Sequence, residues 1–238
     1  MALPRVELIK DLERSIADGH PWLWDRALRW PSARPAPGAL VEVVRRGRPL
    51  AVGWADPAAP IAVRILDRPG AVIDAGWARR RAQSAAAMRL GDPMLAGTDA
   101  MRLVHGENDD LPGLVIDVYA GWGVAVVDGA GAAAFWHPFI DDVAGGLADA
   151  GVALAGLWEK PQRTGGEGRT LRGEPPPDPI VIDEHGARFE VDVRRGQKTG
   201  MFLDQRENRR LIRQVARGRD TLNLFSYTGG FSLAAALG

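Results

Sequence analysis

Thr221-Leu222-Asn223-Leu224-Phe225 reads as a short strand, Ser226-Tyr227-Thr228-Gly229-Gly230 as a turn, and Phe231-Ser232-Leu233-Ala234-Ala235-Ala236-Leu237 as the start of a strong helix. Strand, glycine turn and helix make the first half of a nucleotide-type α/β unit. Two adjacent glycines let a ligand approach the backbone closely, and the free N–H groups of a helix start favour a negative group such as a carboxylate. The run lacks the G-x-G-x-x-G spacing of NAD sites and the G-x-x-x-x-G-K-[ST] spacing of a P-loop, which argues against both. S-adenosylmethionine suits it better. A single parallel strand cannot bury both of its faces, so Phe225 and Leu233–Leu237 are expected to be exposed unless another segment covers them.

The remaining residues divide into two further units. From Arg5 to about Leu66, short extended runs (Val6–Ile9, Leu40–Val44, Pro49–Ala55, Ile61–Leu66) alternate with turns holding Pro35, Pro37, Gly38, Gly47, Pro57 and Pro60. This predicts a small β-barrel or sandwich over residues 1–72. Trp22 and Trp24 read as core there. Asp74–Leu90 is rich in Ala and Arg, with Asp74 as N-cap and Gly91 just past the end, which predicts a connecting helix. A central α+β unit over 73–179 then offers a Gly106–Gly113 turn, strands at Leu114–Tyr119 and Gly123–Val127, a helix through Ala132–Ala150 and a strand near Leu154–Trp158. Pro161–Pro179 holds five Pro and four Gly in nineteen residues, so it reads as a mobile surface loop.

In the last unit, 180–238, Ile180–Ile182 and Arg188–Val193 flank Asp183-Glu184-His185-Gly186-Ala187 as a β-hairpin, with Gly186 available for positive φ. A helix is predicted from Asp204, where Glu207 completes an Asp-x-x-Glu capping signal. On a helical wheel Arg206, Arg210, Arg213 and Arg217 fall within about 60° of one another, with Leu211, Ile212 and Val215 opposite, so the apolar side is expected to pack and the arginine stripe to face outward.

The formal net charge of zero is a sum of opposed parts: residues 1–90 carry +6, residues 91–186 carry −11 and residues 187–238 carry +5. Of the 30 basic residues 27 are Arg, which favours bidentate phosphate contacts and base stacking if the basic ends meet nucleic acid. Arg45, Arg46 and Arg48 crowd one predicted hairpin tip, and they join Arg210, Arg213 and Arg217 as RNA-binding candidates; a solvated loop is the competing reading of that tip. The sequence has no Cys, which excludes disulfides, Cys-ligated zinc and a cysteine nucleophile among these residues. His20, His105, His137 and His185 show no paired metal spacing, so no metal is expected. Met1–Arg14 has no apolar core of a secretory signal, and the one uncharged run of spanning length, Thr221–Gly238, is broken by turn residues. A cytoplasmic protein with no membrane partner is expected.

The run Arg195-Gly-Gln-Lys-Thr-Gly-Met-Phe-Leu-Asp-Gln-Arg-Glu-Asn-Arg209, leading into Asn223-Leu-Phe-Ser-Tyr-Thr-Gly-Gly-Phe231, strongly resembles the RlmI-like class of S-adenosylmethionine-dependent 23S rRNA (cytosine-C5) methyltransferases. His20-Pro21-Trp22, Gly106-Glu107 with Leu111-Pro112-Gly113, and Asp183-Glu184-His185-Gly186 look like landmarks of that family in the same order. The resemblance implies an α+β and α/β multidomain chain: a PUA-like RNA-binding β-barrel, a central α+β domain and the beginning of a Rossmann-like methyltransferase domain. It implies that Phe225, Ser226, Tyr227, Thr228, Gly229 and Gly230 form the loop for S-adenosyl-L-methionine, and that Lys198, Thr199, Gly200, Asp204, Gln205 and Arg206 wall the same pocket. Ribosomal RNA (23S) is the implied partner, and the oligomeric state, a homodimer included, stays open.

The family's later acidic residue for the cofactor ribose, its Asp-Pro-Pro-type motif and its cysteine nucleophile have no counterpart in these 238 residues. Methylating cytosine at C5 normally needs a thiolate to attack C6. The expectation is therefore an N-terminal portion that is inactive alone. A non-catalytic PUA-containing RNA-binding module, or an RNA methyltransferase acting on another base, stays open beside it.

Overall fold

A computed structural model describes residues 3–161 and 166–238. Strands β1 (Arg5–Leu8), β2 (Trp22–Trp24), β3 (Leu28–Arg29), β4 (Leu40–Arg45), β5 (Arg48–Ala55) and β6 (Ile61–Asp67) form a six-stranded sheet in the order β2-β6-β5-β4-β1-β3, with the short helix α1 (Glu13–Ala17) beside it. β1 runs parallel to β4 and antiparallel to β3, which curls the sheet around Val6, Leu8, Leu23, Val41, Val43 and Val63. The β4–β5 connection is a two-residue turn in which Arg46 and Gly47 both take positive φ, 50° and 77°. That geometry matches the right-handed twist of the strands it joins. Trp22 and Trp24 depart from expectation: Trp22 is half-buried and Trp24 is 41% exposed, because the alternation that buries Leu23 between them turns both to the other face of the strand.

Helix α2 (Ala75–Leu90) links this sheet to a second one; its N-cap Asp74 accepts from the Trp77 amide at 2.7 Å. The second sheet, ordered β11-β10-β9-β8-β7, is built from β7 (Ala100–His105), β8 (Leu114–Tyr119), β9 (Trp122–Val127), β10 (Gly156–Glu159) and β11 (Arg169–Gly173). Where one long helix was expected there are two, α3 (Gly129–Trp136) and α4 (Ile140–Asp149), separated by a turn at His137–Phe139 whose Pro138 has no N–H to continue the helix. α4 lies tight against α2: a Cβ on Gly146 would collide with the Arg79 carbonyl oxygen. One face of the sheet is covered by these helices, with Trp77 stacked on Trp136 at 6.1 Å.

The expected mobile loop 161–179 is corrected in part. Arg169–Gly173 is a strand, antiparallel to β10, which covers an edge that would otherwise be open. Residues 162–165 of that loop lie outside the described residues.

Strands β12 (Ile180–Glu184) and β13 (Ala187–Val191) form a hairpin turning on His185 and Gly186, at φ 53° and 78°. Ile180, Ile182, Val191 and Val193 pack against Ala100, Tyr119 and Val124, on the face of the central sheet that the helices leave free. Two helices follow, α5 (Arg206–Val215) and α6 (Gly230–Ala236).

Three expectations for this part are corrected. A short helical turn at Leu203–Gln205 precedes α5, so Asp204 is not its N-cap, and no side chain caps the helix. Thr221–Phe225 forms no strand; its backbone finds no neighbouring strand among the described residues, and a lone strand is not stable. The α5 faces are also mixed, with Arg210 and Arg217 exposed and Ile212 and Arg213 half-buried. Leu211 and Val215 are exposed, while Arg206 and Arg209 are buried.

Candidate functional site

The segment between β13 and α5 is held from several sides before it presents any side chain. Thr199 is buried and donates to Asp117 Oδ2 at 2.5 Å, and Tyr119 OH meets Thr199 Oγ1 at 2.7 Å. Arg102 completes the chain with two hydrogen bonds to Asp117, at 2.8 and 3.1 Å. Burial pushes the Tyr119 phenol far above its ordinary pKa, so it stays protonated and available as donor. Lys160, buried and with its pKa lowered by desolvation, donates its Nζ to the Gly196 carbonyl. Gly200 has φ +147° and its missing Cβ would lie 2.8 Å from Val191 Cγ1, so only glycine fits there.

On this scaffold Lys198 and Asp204 face one another, with Nζ to Oδ1 at 3.1 Å, and Gln205 donates to the other Asp204 oxygen at 3.3 Å. Desolvation works against the Asp204 charge, but the hydrogen bonds from Lys198 and Gln205 outweigh it and hold the carboxyl below its ordinary pKa. Lys198 Nζ also lies 4.8 Å from the Phe202 ring centroid. The Tyr227 ring meets the opposite edge of this arrangement, 5.7 Å from Phe202 at 88°, and its hydroxyl accepts from the Gln197 amide at 3.4 Å.

Tyr227 therefore ties the glycine turn to the 197–205 segment. Within the turn, Phe225, Tyr227 and Gly229 take positive φ, 61°, 51° and 80°, and the Gly229 amide donates to the Ser226 carbonyl at 2.8 Å. Phe225, Ser226 and Thr228 are exposed, and nothing lies within 4 Å of a Cβ built on Gly229. Gly230 opens α6 beside Arg209 and Phe189. Thr199 and Gly200 are not brought to this surface. Their places are taken up by packing.

The RNA candidates separate. Arg46 and Arg48 are exposed at the β4–β5 tip, but Arg45 is folded onto Asp11 at 2.6 Å and Glu13 at 3.8 Å. Arg210 is half exposed, 3.6 Å from Glu207. Arg213, half-buried, turns onto the His185 and Leu237 carbonyls and leaves the outward stripe expected of it, whereas Arg217 stays exposed while reaching the Gly238 carbonyl. Sequence reasoning missed Arg209, whose guanidinium makes two bonds to Glu184 at 2.7 and 2.6 Å with both side chains buried. Its wheel position beside the stripe was the available signal. Nothing in the sequence announced Arg102. Among the described residues no group of His, Asp or Glu is arranged to hold a metal ion, and no helix is long and apolar enough to cross a membrane.

Comparison with known proteins bears directly on this site. Residues 157–238 match the profile of S-adenosylmethionine-dependent methyltransferases, and residues 6–68 match that of a PUA-like domain. The later segment is thus similar to the S-adenosylmethionine-dependent methyltransferase family. A ribosomal RNA large subunit methyltransferase from Deinococcus radiodurans is 42% identical across 98% of this chain and 60% of its own length. Ribosomal RNA large subunit methyltransferase I of Cronobacter sakazakii is 34% identical over the same shares. The chain spans about 60% of the length of these curated relatives. Among solved structures, a SAM-dependent methyltransferase from Streptococcus mutans aligns with TM-score 0.78 at 22% identity, covering 100% of this chain and 61% of that one. A methyltransferase solved with SAH aligns with TM-score 0.79 at 23% identity, covering 100% and 60%. Both share the fold of this chain.

Proposed function

We propose that the chain supplies the RNA-binding part and one wall of the cofactor site of an S-adenosylmethionine-dependent rRNA methyltransferase, acting at cytosine C5 of 23S rRNA. The observation that carries this reading is the open Ser226–Gly230 turn, held by Tyr227 against the Gln197 amide and the Phe202 ring inside the segment that matches the methyltransferase family.

The donor set fits such a cofactor. Backbone amides at the start of α6, with Ser226 and Thr228 hydroxyls, suit the carboxylate and hydroxyl groups of the ligand. An ionised Asp204 with Gln205 suits a ribose hydroxyl and favours a nearby sulfonium. Gly229 leaves the backbone uncovered. When bound, the cofactor supplies an electrophilic methyl group; the residues here bind and orient it. Exposed Arg46 and Arg48, on the PUA-like sheet, give RNA phosphates a landing point.

A C5 transfer needs a thiolate at C6, and no residue of the 238 offers one. This chain by itself is therefore expected to bind cofactor and RNA without transferring a methyl group. Calorimetric titration with S-adenosylhomocysteine tests the reading: saturable one-to-one binding, weakened by Gly229→Val, supports it. Absence of any binding by the folded chain contradicts it. Methyl transfer to ribosomal RNA by the 238-residue chain would sink the thiolate argument and favour another base.

A further inference from the structure

Lys160 directly follows β10, and its backbone amide donates to the Ala125 carbonyl at 2.8 Å, so the residue is fixed to the central sheet. It is 8% exposed, and among the described residues its Nζ finds a single acceptor, the Gly196 carbonyl. Burial lowers its pKa, and the charge of Asp192 works against that shift. Asp192 is itself engaged elsewhere: it accepts from the Arg194 and Arg195 amides at 2.9 and 2.8 Å and from Arg195 Nε at 2.8 Å. A buried donor that loses its acceptor is left with the cost of its desolvation, so Lys160 holds the Gly196 carbonyl firmly.

That carbonyl and the Gln197 N–H are the two ends of one planar peptide, so fixing the first sets the direction of the second. The Gln197 N–H is the group that donates to Tyr227 OH, at 3.4 Å. Hydrogen bonds at the two ends of a peptide also polarise one another, which makes this N–H a better donor while Lys160 is in place. The near side of the peptide is pinned as well. The Gly196 amide donates to the Asp192 carbonyl at 2.9 Å, and a Cβ on Gly196 would collide with the same oxygen. A line of contacts thus runs from the central sheet through Lys160 and one peptide to Tyr227 and the glycine turn.

We infer that Lys160 is a positioning residue for the cofactor wall: by gripping the Gly196 carbonyl it aims the Gln197 N–H at Tyr227 and so sets a turn that it does not touch. The inference rests on the methyltransferase reading for the ligand of that turn, but the coupling itself belongs to the ligand-free chain.

The test is amide NMR of the ligand-free 238-residue chain, with S-adenosylhomocysteine calorimetry in parallel. Lys160→Met removes the donor and should shift the signals of Gln197, Gly229 and Gly230; Lys160→Arg still donates and should restore them. Lys160→Met should weaken binding of the analogue on the order of tenfold, the worth of one hydrogen bond. Tyr227→Phe breaks the same line at its other end, so the double variant should bind no more weakly than the weaker-binding single variant. Should Lys160→Met fail to fold, Tyr227→Phe is read in the opposite direction: the side-chain signals of Lys160 should move with that of Gln197, and a change that stops at Gln197 would overturn the inference. A folded Lys160→Met chain whose turn signals match the wild type would also overturn it, as would losses of affinity that add in the double variant. Turn signals that respond to Lys160→Met in a wild-type background that binds no analogue would contradict the cofactor reading alone.

Discussion

Arg209 and Glu184 show what a single pair decides. Their side chains are 5% and 4% exposed and joined by two hydrogen bonds, so neither charge has water to fall back on. Removing one partner leaves the other charged and buried, which costs about 3–5 kcal/mol. Arg209→Ala should lower the urea-unfolding free energy by that amount, and adding Glu184→Ala should recover part of it; equal losses for the single and double variants would mean that the ion pair is not the cause. Local chemistry was legible at this scale wherever a residue acts on its own neighbours. Asp74 as a cap and Gly186 as a positive-φ position were both readable. Thr199 and Gly200 were not, because their roles depend on Asp117 and Val191, which other elements bring to them.

Helix α5 shows why periodicity alone fails for an arginine-rich helix. The wheel groups the arginines on one side, but it cannot say which of them pack when the facing hairpin offers Glu184 and backbone carbonyls instead of an apolar surface. Arg206 and Arg209 were drawn inward, Arg210 and Arg217 stayed exposed, and Leu211 and Val215 were left outside. Leu211→Gln combined with Val215→Gln should therefore change the stability of this chain by no more than about 0.5 kcal/mol. A loss of several kcal/mol in the same unfolding experiment would show that the apolar side is buried after all. The absent strand at Thr221–Phe225 has a similar origin: strand propensity was visible, but a partner strand is a property of the sheet and not of the segment. By contrast, the β4–β5 hairpin was legible because its turn residues and both strands lie within one short stretch.

Across the molecule, the PUA-like sheet and the central unit are joined by polar clamps. Trp22 and Arg64 both donate to Glu107, and Arg64 also reaches Asp128. At the second clamp Asp67 accepts from Trp77 at 3.0 Å and Arg81 at 3.1 Å. Desolvation raises the Asp67 pKa, but the hydrogen bonds from the Arg68 amide, Trp77 and Arg81 outweigh it, and the carboxyl titrates below its ordinary range. A carboxyl with a depressed folded pKa stabilises above its unfolded value of about 4 and loses that contribution as pH falls through the folded value. The stability gap between the wild-type chain and Asp67→Asn should accordingly be full at neutral pH and close as the medium is acidified; a gap independent of pH would show that ionisation of Asp67 plays no part in the clamp. The hairpin's packing on the central sheet was not readable from composition and spacing, because it joins residues far apart in the chain.

The placement of the cofactor wall is tested most directly by amide hydrogen exchange with and without S-adenosylhomocysteine. Protection confined to residues 197–206 and 225–232 is the result expected from the Tyr227 contact and the open glycine turn. Protection that falls only on the PUA-like sheet, or none in either segment at saturating ligand, would contradict it.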